Sequence, residues 1–131
     1  METTKLYDQW RAMDDRRLAN KAVSVRLPVH ILARINAISD MFPTKTRTDI
    51  MTDLLKVGLE AFEGSLPPLQ YSDEPISDED EPGQAFVEPV GANADYRKKA
   101  NEHYRQLEKE LGNGQPTSLF DVSWKTWDPP S

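Results

Sequence analysis

The fold is decided by residues 21–28, which read KAVSVRLP. Side chains along this stretch alternate with a period of two, as in a short strand with one buried face. Pro28 ends the strand, because proline has no N–H for a ladder and suits the first turn of a helix. The apolar face carries Val23, Val25 and Leu27, and the opposite face carries Ala22, Ser24 and Arg26.

This strand has no second strand candidate near it in the sequence. A strand with both edges unpaired is not stable on its own. The nearest available partner is the same strand of another subunit. The pattern therefore predicts an antiparallel two-stranded ribbon shared by a homodimer.

Two amphipathic helices are predicted after the strand. The first runs from Val29 to Met41, where apolar residues recur at intervals of three and four, and Phe42-Pro43 ends it. Thr46 is the expected N-cap of the second helix, with Asp49 completing a capping box. That helix continues to Phe62 and is expected to stop at Gly64, since Pro67-Pro68 follows.

The remaining two-thirds of the chain divides by composition. Residues 1–20 form an N-terminal arm, and residues 65–93 hold five prolines and the run Asp78–Glu81. This acidic stretch is expected to be a disordered or extended linker. Residues 94–131 predict a helix from Ala94 to Leu111 and an aromatic tail. This segment is expected either to pack on the N-terminal arm or the dimer body, or to bind a protein partner. The expected partner-binding residues are Tyr104, Leu107, Leu111, Trp124 and Trp127.

The distribution of charge is more informative than the net charge of −6. Residues 16–63 contain eight Lys or Arg against five Asp or Glu, whereas residues 64–93 contain seven acidic residues and no Lys or Arg. A small basic unit is thus followed by an acidic spacer. One hypothesis is that the acidic run imitates DNA phosphates and covers the basic ribbon.

Several functional classes are not expected. The chain has no cysteine, and His30 and His103 lie too far apart to indicate a metal or catalytic pair. Phosphate-loop, zinc-protease and serine-elbow motifs do not occur. We therefore expect no enzyme activity, no cofactor and no metal. No stretch of about 20 apolar residues indicates a membrane span, and a cytoplasmic location is expected.

The order of strand, helix and capped helix within residues 21–64 resembles the ribbon-helix-helix family, which includes the Arc and MetJ repressors and many antitoxins. The resemblance rests on VSVRLP at residues 23–28 and on TRTDI at residues 46–50, with the expected spacing between them. The segment Phe42–Lys45 departs from the glycine-containing turn that is common in the family. The implied fold is a mainly α, intertwined β-α-α homodimer. Its implied dimer core is Val23, Val25, Leu27, Ile35, Ile38, Ile50, Leu54 and Phe62.

The resemblance implies a transcriptional regulator, most often a repressor, whose ribbon enters the major groove of double-stranded DNA. Base contacts would come from Ala22, Ser24 and Arg26. Phosphate contacts would come from Lys21, Lys45, Thr46, Arg47 and Thr48. Two dimers side by side are expected on a longer operator. The alternatives are an antitoxin whose C-terminal segment neutralises a toxin, and an accessory DNA-binding protein in plasmid partition or transfer.

Overall fold

The structure, a computed structural model, describes residues 17–77 and 83–128. Within these residues it contains three helices, namely α1 (Val29–Met41), α2 (Arg47–Ser65) and α3 (Ala92–Glu110). Helices make up roughly 48% of this part, and two small antiparallel sheets accompany them. The fold is therefore a small mixed α/β fold, whereas a mainly α fold was expected. Most of the predicted N-terminal arm and the acidic run at residues 78–81 lie outside the described residues.

Helix α1 has the bounds that its apolar periodicity predicts. It begins after Pro28, whose carbonyl oxygen accepts from the N–H groups of Ile31 and Leu32, both at 3.1 Å. It ends where the N–H of Phe42 donates to the carbonyl of Ile38 at 3.1 Å. Phe42 leaves the helical conformation with ψ near 69°, because Pro43 follows it.

Helix α2 begins at the predicted cap. The hydroxyl oxygen of Thr46 accepts from the N–H of Asp49 at 3.0 Å, which confirms Thr46 as the N-cap. The helix continues past Gly64, where a stop was expected, and ends at Ser65. A glycine can remain helical, and it is the extended backbone of Leu66 before two prolines that stops the helix.

Helices α1 and α2 pack against each other through one buried isoleucine each, Ile35 and Ile50. The guanidinium of Arg47 at the start of α2 donates to Oδ1 of Asn36 in the middle of α1. This contact fixes the beginning of α2 against α1. Most other apolar side chains of the pair remain exposed, so the two helices alone do not form a closed core.

The stretch expected to be a linker contains short strands, which corrects that prediction. The strands are β1 Gln70–Tyr71, β2 Ile76–Ser77, β3 Ala85–Val87, β4 Pro89–Val90 and, later in the chain, β5 Lys125–Thr126. Strand β1 pairs antiparallel with β4, while β2, β3 and β5 form a three-stranded antiparallel sheet in the order β2-β3-β5. Each strand has only two or three residues, too few for a period to be visible in the sequence.

A second apolar centre lies where the strands meet α3. Val87, Pro89 and Ala94 are all buried there. The chain turns into α3 at Gly91, which has φ of +93°. A Cβ at this position would lie 3.3 Å from the side-chain oxygen of Gln70 on β1. Glycine therefore allows β4 to lead directly into the helix beside β1.

Candidate functional site

Residues 21–27 lie on the surface with their side chains largely exposed. Val23 is 86% exposed and Val25 is 69% exposed, and only Leu27 is half-buried. The expected base-contacting residues Ala22, Ser24 and Arg26 are all exposed. The described chain has no strand in this segment, so nothing within it pairs with the predicted ribbon strand.

An apolar groove lies beside this segment. It has a volume of about 560 Å³, and Val25, Leu27, α1 and α2 line it. Leu54 and Leu59 of α2 also line it and are 44% and 55% exposed. Arg34 is the single charged residue of this lining, so the groove is almost entirely apolar. The groove is also open to solvent. Such a surface is expected to be covered in the functional protein.

The predicted dimer core divides into three groups. Ile35 and Ile50 are buried between α1 and α2 of the same chain, and Leu27 and Ile38 are half-buried. Val23, Val25 and Leu54 are exposed along or beside the groove.

Phe62, also predicted for the dimer core, has a contact within its own chain while 51% of it remains exposed. Its ring meets that of Tyr96 on α3 in an edge-on contact, with the centroids 5.6 Å apart. Tyr96 in turn contacts Phe120, also at 5.6 Å between ring centroids. Phe62 therefore joins α2 to the C-terminal part of its own chain. No local sequence pattern indicates this, because Tyr96 lies 34 residues from Phe62 and Phe120 lies 24 residues from Tyr96.

The residues expected to contact phosphate lie in two places. Lys45, Thr46, Arg47 and Thr48 are exposed at the start of α2. Helix N-termini attract anions through unpaired N–H groups and the helix dipole. The Thr46 side chain already occupies the N–H of Asp49, and the Asp49 carboxylate also lies in this first turn. The positive charge of Lys45 and Arg47 is thus partly offset.

Lys21, the fifth expected phosphate contact, lies elsewhere and has an acidic neighbour. Its Nζ is 3.1 Å from Oε1 of Glu110 at the end of α3. Nearby, a guanidinium nitrogen of Arg17 is 2.5 Å from Oε2 of Glu108. These ion pairs were not predicted from the sequence. The sequence does show opposite charges that could pair, since Glu108 and Glu110 end the predicted helix and Arg16-Arg17 and Lys21 begin the basic unit.

Some of the residues predicted to bind a partner pack against their own chain. Tyr104, Leu107 and Trp127 are half-buried, while Leu111 and Trp124 are 39% and 46% exposed. The tail folds back so that β5 joins the sheet. The N–H of Trp127 then donates to the carbonyl of Ala85 at 2.8 Å.

A buried asparagine holds this tail on α3. The side-chain oxygen of Asn101 accepts from the N–H of Phe120 at 2.8 Å, and its side-chain nitrogen donates to the carbonyl of Phe120 at 2.9 Å. Asn101 is only 6% exposed. One turn earlier, Arg97 donates to the carbonyl of Asp121 at 2.9 Å. The tail backbone is therefore bound by two side chains of α3.

Three titratable groups around α3 have shifted pKa values. A hydrogen bond to the Glu63 carboxylate, then burial, raises the pKa of Tyr96 above 10.0. A hydrogen bond from Asn113, followed by one from Arg17, lowers the pKa of Glu108 below 4.5. Hydrogen bonds from Ser123 lower the pKa of Asp121. The shift of Tyr96 comes from a contact between α3 and α2, whereas the largest causes of the other two shifts are neighbours close in the sequence.

Other kinds of site have little support in the described residues. Residues 17–77 and 83–128 contain no group of three or more His, Cys, Asp or Glu side chains that could hold a metal ion. None of the helices in the same part of the chain is long and apolar enough to cross a membrane.

Comparisons with protein-family models, with curated proteins and with solved structures find no match to this chain.

Proposed function

We propose that the chain is a homodimeric, sequence-specific DNA-binding transcriptional regulator of the ribbon-helix-helix type, acting as a repressor. Residues 21–27 of two copies pair antiparallel, and the resulting ribbon enters the major groove. One observation carries the proposal. An alternating segment with Val23 and Val25 exposed lies beside an open apolar groove formed by α1 and α2.

The groove and the segment each present an apolar surface to solvent, and a second apolar surface could cover both. Fully burying one valine or leucine side chain stabilises a protein by roughly 1.5–3 kcal/mol. A second copy placed across a two-fold axis would cover Val23, Val25 and Leu54 of each chain and would let residues 21–27 of the two copies pair as strands. The exposed apolar side chains and the alternating pattern of the segment thus favour the same homodimer.

The opposite face of the segment suits DNA. Ala22, Ser24 and Arg26 are exposed and alternate with the valines, so they would point away from the dimer core. Arg26 can bond O6 and N7 of a guanine, and Ser24 can donate or accept. Lys45 and Arg47 at the start of α2 would contact the flanking phosphates. Six base-facing side chains give modest readout, which favours two dimers on one operator.

The C-terminal segment supports a regulator over an antitoxin. An antitoxin tail must be free to wrap a toxin, whereas residues 120–127 bind α3 and β3 of their own chain. A protein partner on the exposed Trp124 remains compatible with either function.

The test begins with selection of bound DNA from a random-sequence pool by the full chain. Arg26→Ala should then bind the recovered duplex at least tenfold more weakly, because each bidentate contact to a base contributes about 1–3 kcal/mol and a dimer has two. Fluorescence anisotropy of the labelled duplex measures this effect. Arg105→Ala, which removes an exposed arginine from α3, is the matched control and should bind within about twofold of wild type.

Two results would contradict the proposal. One is a selection that recovers no enriched sequence. The other is an Arg26→Ala variant that binds the enriched duplex as tightly as Arg105→Ala does.

A further inference from the structure

Arg17, which precedes the ribbon segment, and Lys21, which is its first residue, are bound by acidic residues at the end of α3. Arg17 contacts Oε2 of Glu108 at 2.5 Å, and Lys21 contacts Oε1 of Glu110 at 3.1 Å. Arg17 and Glu108 are 91 residues apart in the sequence. The two contacts therefore bring the end of α3 onto the segment that leads into the ribbon.

The carboxylate of Glu108 is held in place from its own side. Asn113, just beyond the helix, donates from its side chain to Oε2 of Glu108 at 2.9 Å, and its N–H donates to the carbonyl of Glu108 at 2.9 Å. Glu108 is only 8% exposed. The turn after α3 thus presents an oriented, ionised carboxylate to Arg17.

The carboxylate of Glu110 can accept hydrogen bonds from donors other than Lys21. Its side chain is 20% exposed, and Lys21 lies at Oε1. Among the residues that the structure describes, no donor reaches its Oε2, which is buried. A buried carboxylate oxygen without a donor strengthens the attraction of this site for a nearby cation.

The two cations remain accessible to a competing anion. The side chain of Arg17 is 53% exposed and that of Lys21 is 70% exposed. Ion pairs with this much solvent contact are weak and exchange readily. A DNA phosphate offers the same cations equivalent oxygen acceptors.

We propose that Glu108 and Glu110 compete with DNA phosphates for Arg17 and Lys21, so that the end of α3 reduces the affinity of the chain for DNA. This inference rests on the proposed function and assigns its regulation to named ion pairs. Release of the end of α3, for example by a partner that binds it, would then strengthen DNA binding.

The mechanism has a signature in salt dependence. A cation that is free before binding releases counterions from DNA when it contacts a phosphate, by about 0.9 per contact. A cation that leaves a glutamate for a phosphate must first break an ion pair that salt also weakens, so part of this salt dependence is offset. Removing both glutamate charges should therefore steepen the dependence of log affinity on log salt by up to about two.

The experiment compares the full chain with the double variant Glu108→Gln/Glu110→Gln. The probe is a fluorescein-labelled DNA duplex of mixed sequence, titrated by anisotropy over a series of NaCl concentrations. The double variant should bind about threefold to tenfold more tightly than wild type at low salt, as expected for two ion pairs whose cations are exposed. The matched control is Glu74→Gln/Glu102→Gln, which removes two negative charges from exposed glutamates elsewhere.

Equal affinity and equal salt slope in the double variant and the control would overturn the inference while leaving DNA binding intact. Absence of DNA binding by every chain would overturn the proposed function and the inference together.

A second measurement guards against a folding defect in the double variant. Arg17→Gln/Lys21→Gln should weaken binding in the Glu108→Gln/Glu110→Gln background and change it much less in the wild-type background. Equal losses in the two backgrounds would show that the cations and the glutamates do not compete.

Discussion

At the scale of single residues, the polar contacts of α3 decide where the C-terminal tail lies. Asn101 is the clearest case, because it uses both ends of its amide on the backbone of one residue, Phe120. A buried amide with both functions satisfied contributes to stability, whereas an unsatisfied one would cost free energy. The sequence alone does not distinguish Asn101 from an exposed helical asparagine, since its partner lies 19 residues away in a segment without regular structure.

Asn101→Ala should release the tail. Loss of two hydrogen bonds is expected to lower the free energy of unfolding by about 1–3 kcal/mol. Trypsin should also cleave after Lys125 several times faster, because β5 would detach from β3. Urea denaturation followed by circular dichroism measures the first effect and timed proteolysis the second. Gln106→Ala, an exposed change on the same helix, is the control. Unchanged proteolysis in Asn101→Ala would show that the sheet and Arg97 hold the tail without Asn101.

Tyr96 connects α3 to α2 through its hydroxyl, which donates to Oε2 of Glu63 at 2.5 Å. Tyr96→Phe keeps the ring contacts with Phe62 and Phe120 and should lower the free energy of unfolding by about 1 kcal/mol.

The contribution of the Tyr96 hydroxyl to stability is expected to depend on pH. The hydrogen bond to Glu63 raises the pKa of Tyr96 in the folded chain above 10.0. Its stabilisation is therefore fully present below pH 10 and is lost as the pH rises through the raised pKa. The stability difference between wild type and Tyr96→Phe should shrink over this alkaline range in urea denaturation. A difference that stays constant with pH would mean that the phenol hydrogen bond is not its source.

At the scale of elements, helices were predictable and strands were not. Helix α1 has its predicted bounds, and α2 begins at the predicted cap, because apolar periodicity and capping are local signals. Helix α3 begins two residues earlier and ends one residue earlier than expected. The short strands depend on partners far along the chain, such as β5 on β3, and no local pattern indicates them.

The N-cap of α2 gives a prediction at this scale. Thr46→Ala should destabilise the chain by about 1 kcal/mol, because the N–H of Asp49 loses its acceptor. Thr46→Ser keeps the hydroxyl and should cost little. Thermal or urea unfolding of the two variants provides the comparison, and equal stability of both variants would show that the cap does not stabilise the helix.

At the scale of the whole molecule, the chain combines a unit with an open apolar face and a C-terminal part that folds onto it. The two helices of the first part were predicted from the sequence, because their signals are periodic and local. The contacts of Phe62 with Tyr96, and of Lys21 with Glu110, could not be predicted, since they join segments more than 30 residues apart. The candidate DNA-binding residues are all exposed, and one of them, Lys21, forms an ion pair with Glu110.

The pairing of residues 21–27 between two copies is the claim on which every DNA contact depends. The chain has no cysteine, so a single cysteine introduced into this segment reports directly on its neighbour. In an antiparallel pair, side chains directly opposite each other have Cβ atoms about 4.5–5.5 Å apart, close enough for a disulfide after a small shift.

The most direct measurement is therefore oxidation of three single variants, Ala22→Cys, Ser24→Cys and Arg26→Cys, followed by a non-reducing gel. Ser24, at the centre of the segment, is expected next to the two-fold axis, so Ser24→Cys should form a cross-linked dimer efficiently at micromolar concentration. Gln106→Cys on the exposed face of α3 should remain monomeric on the same gel. Failure of all three ribbon variants to cross-link above the level of Gln106→Cys would contradict the paired ribbon.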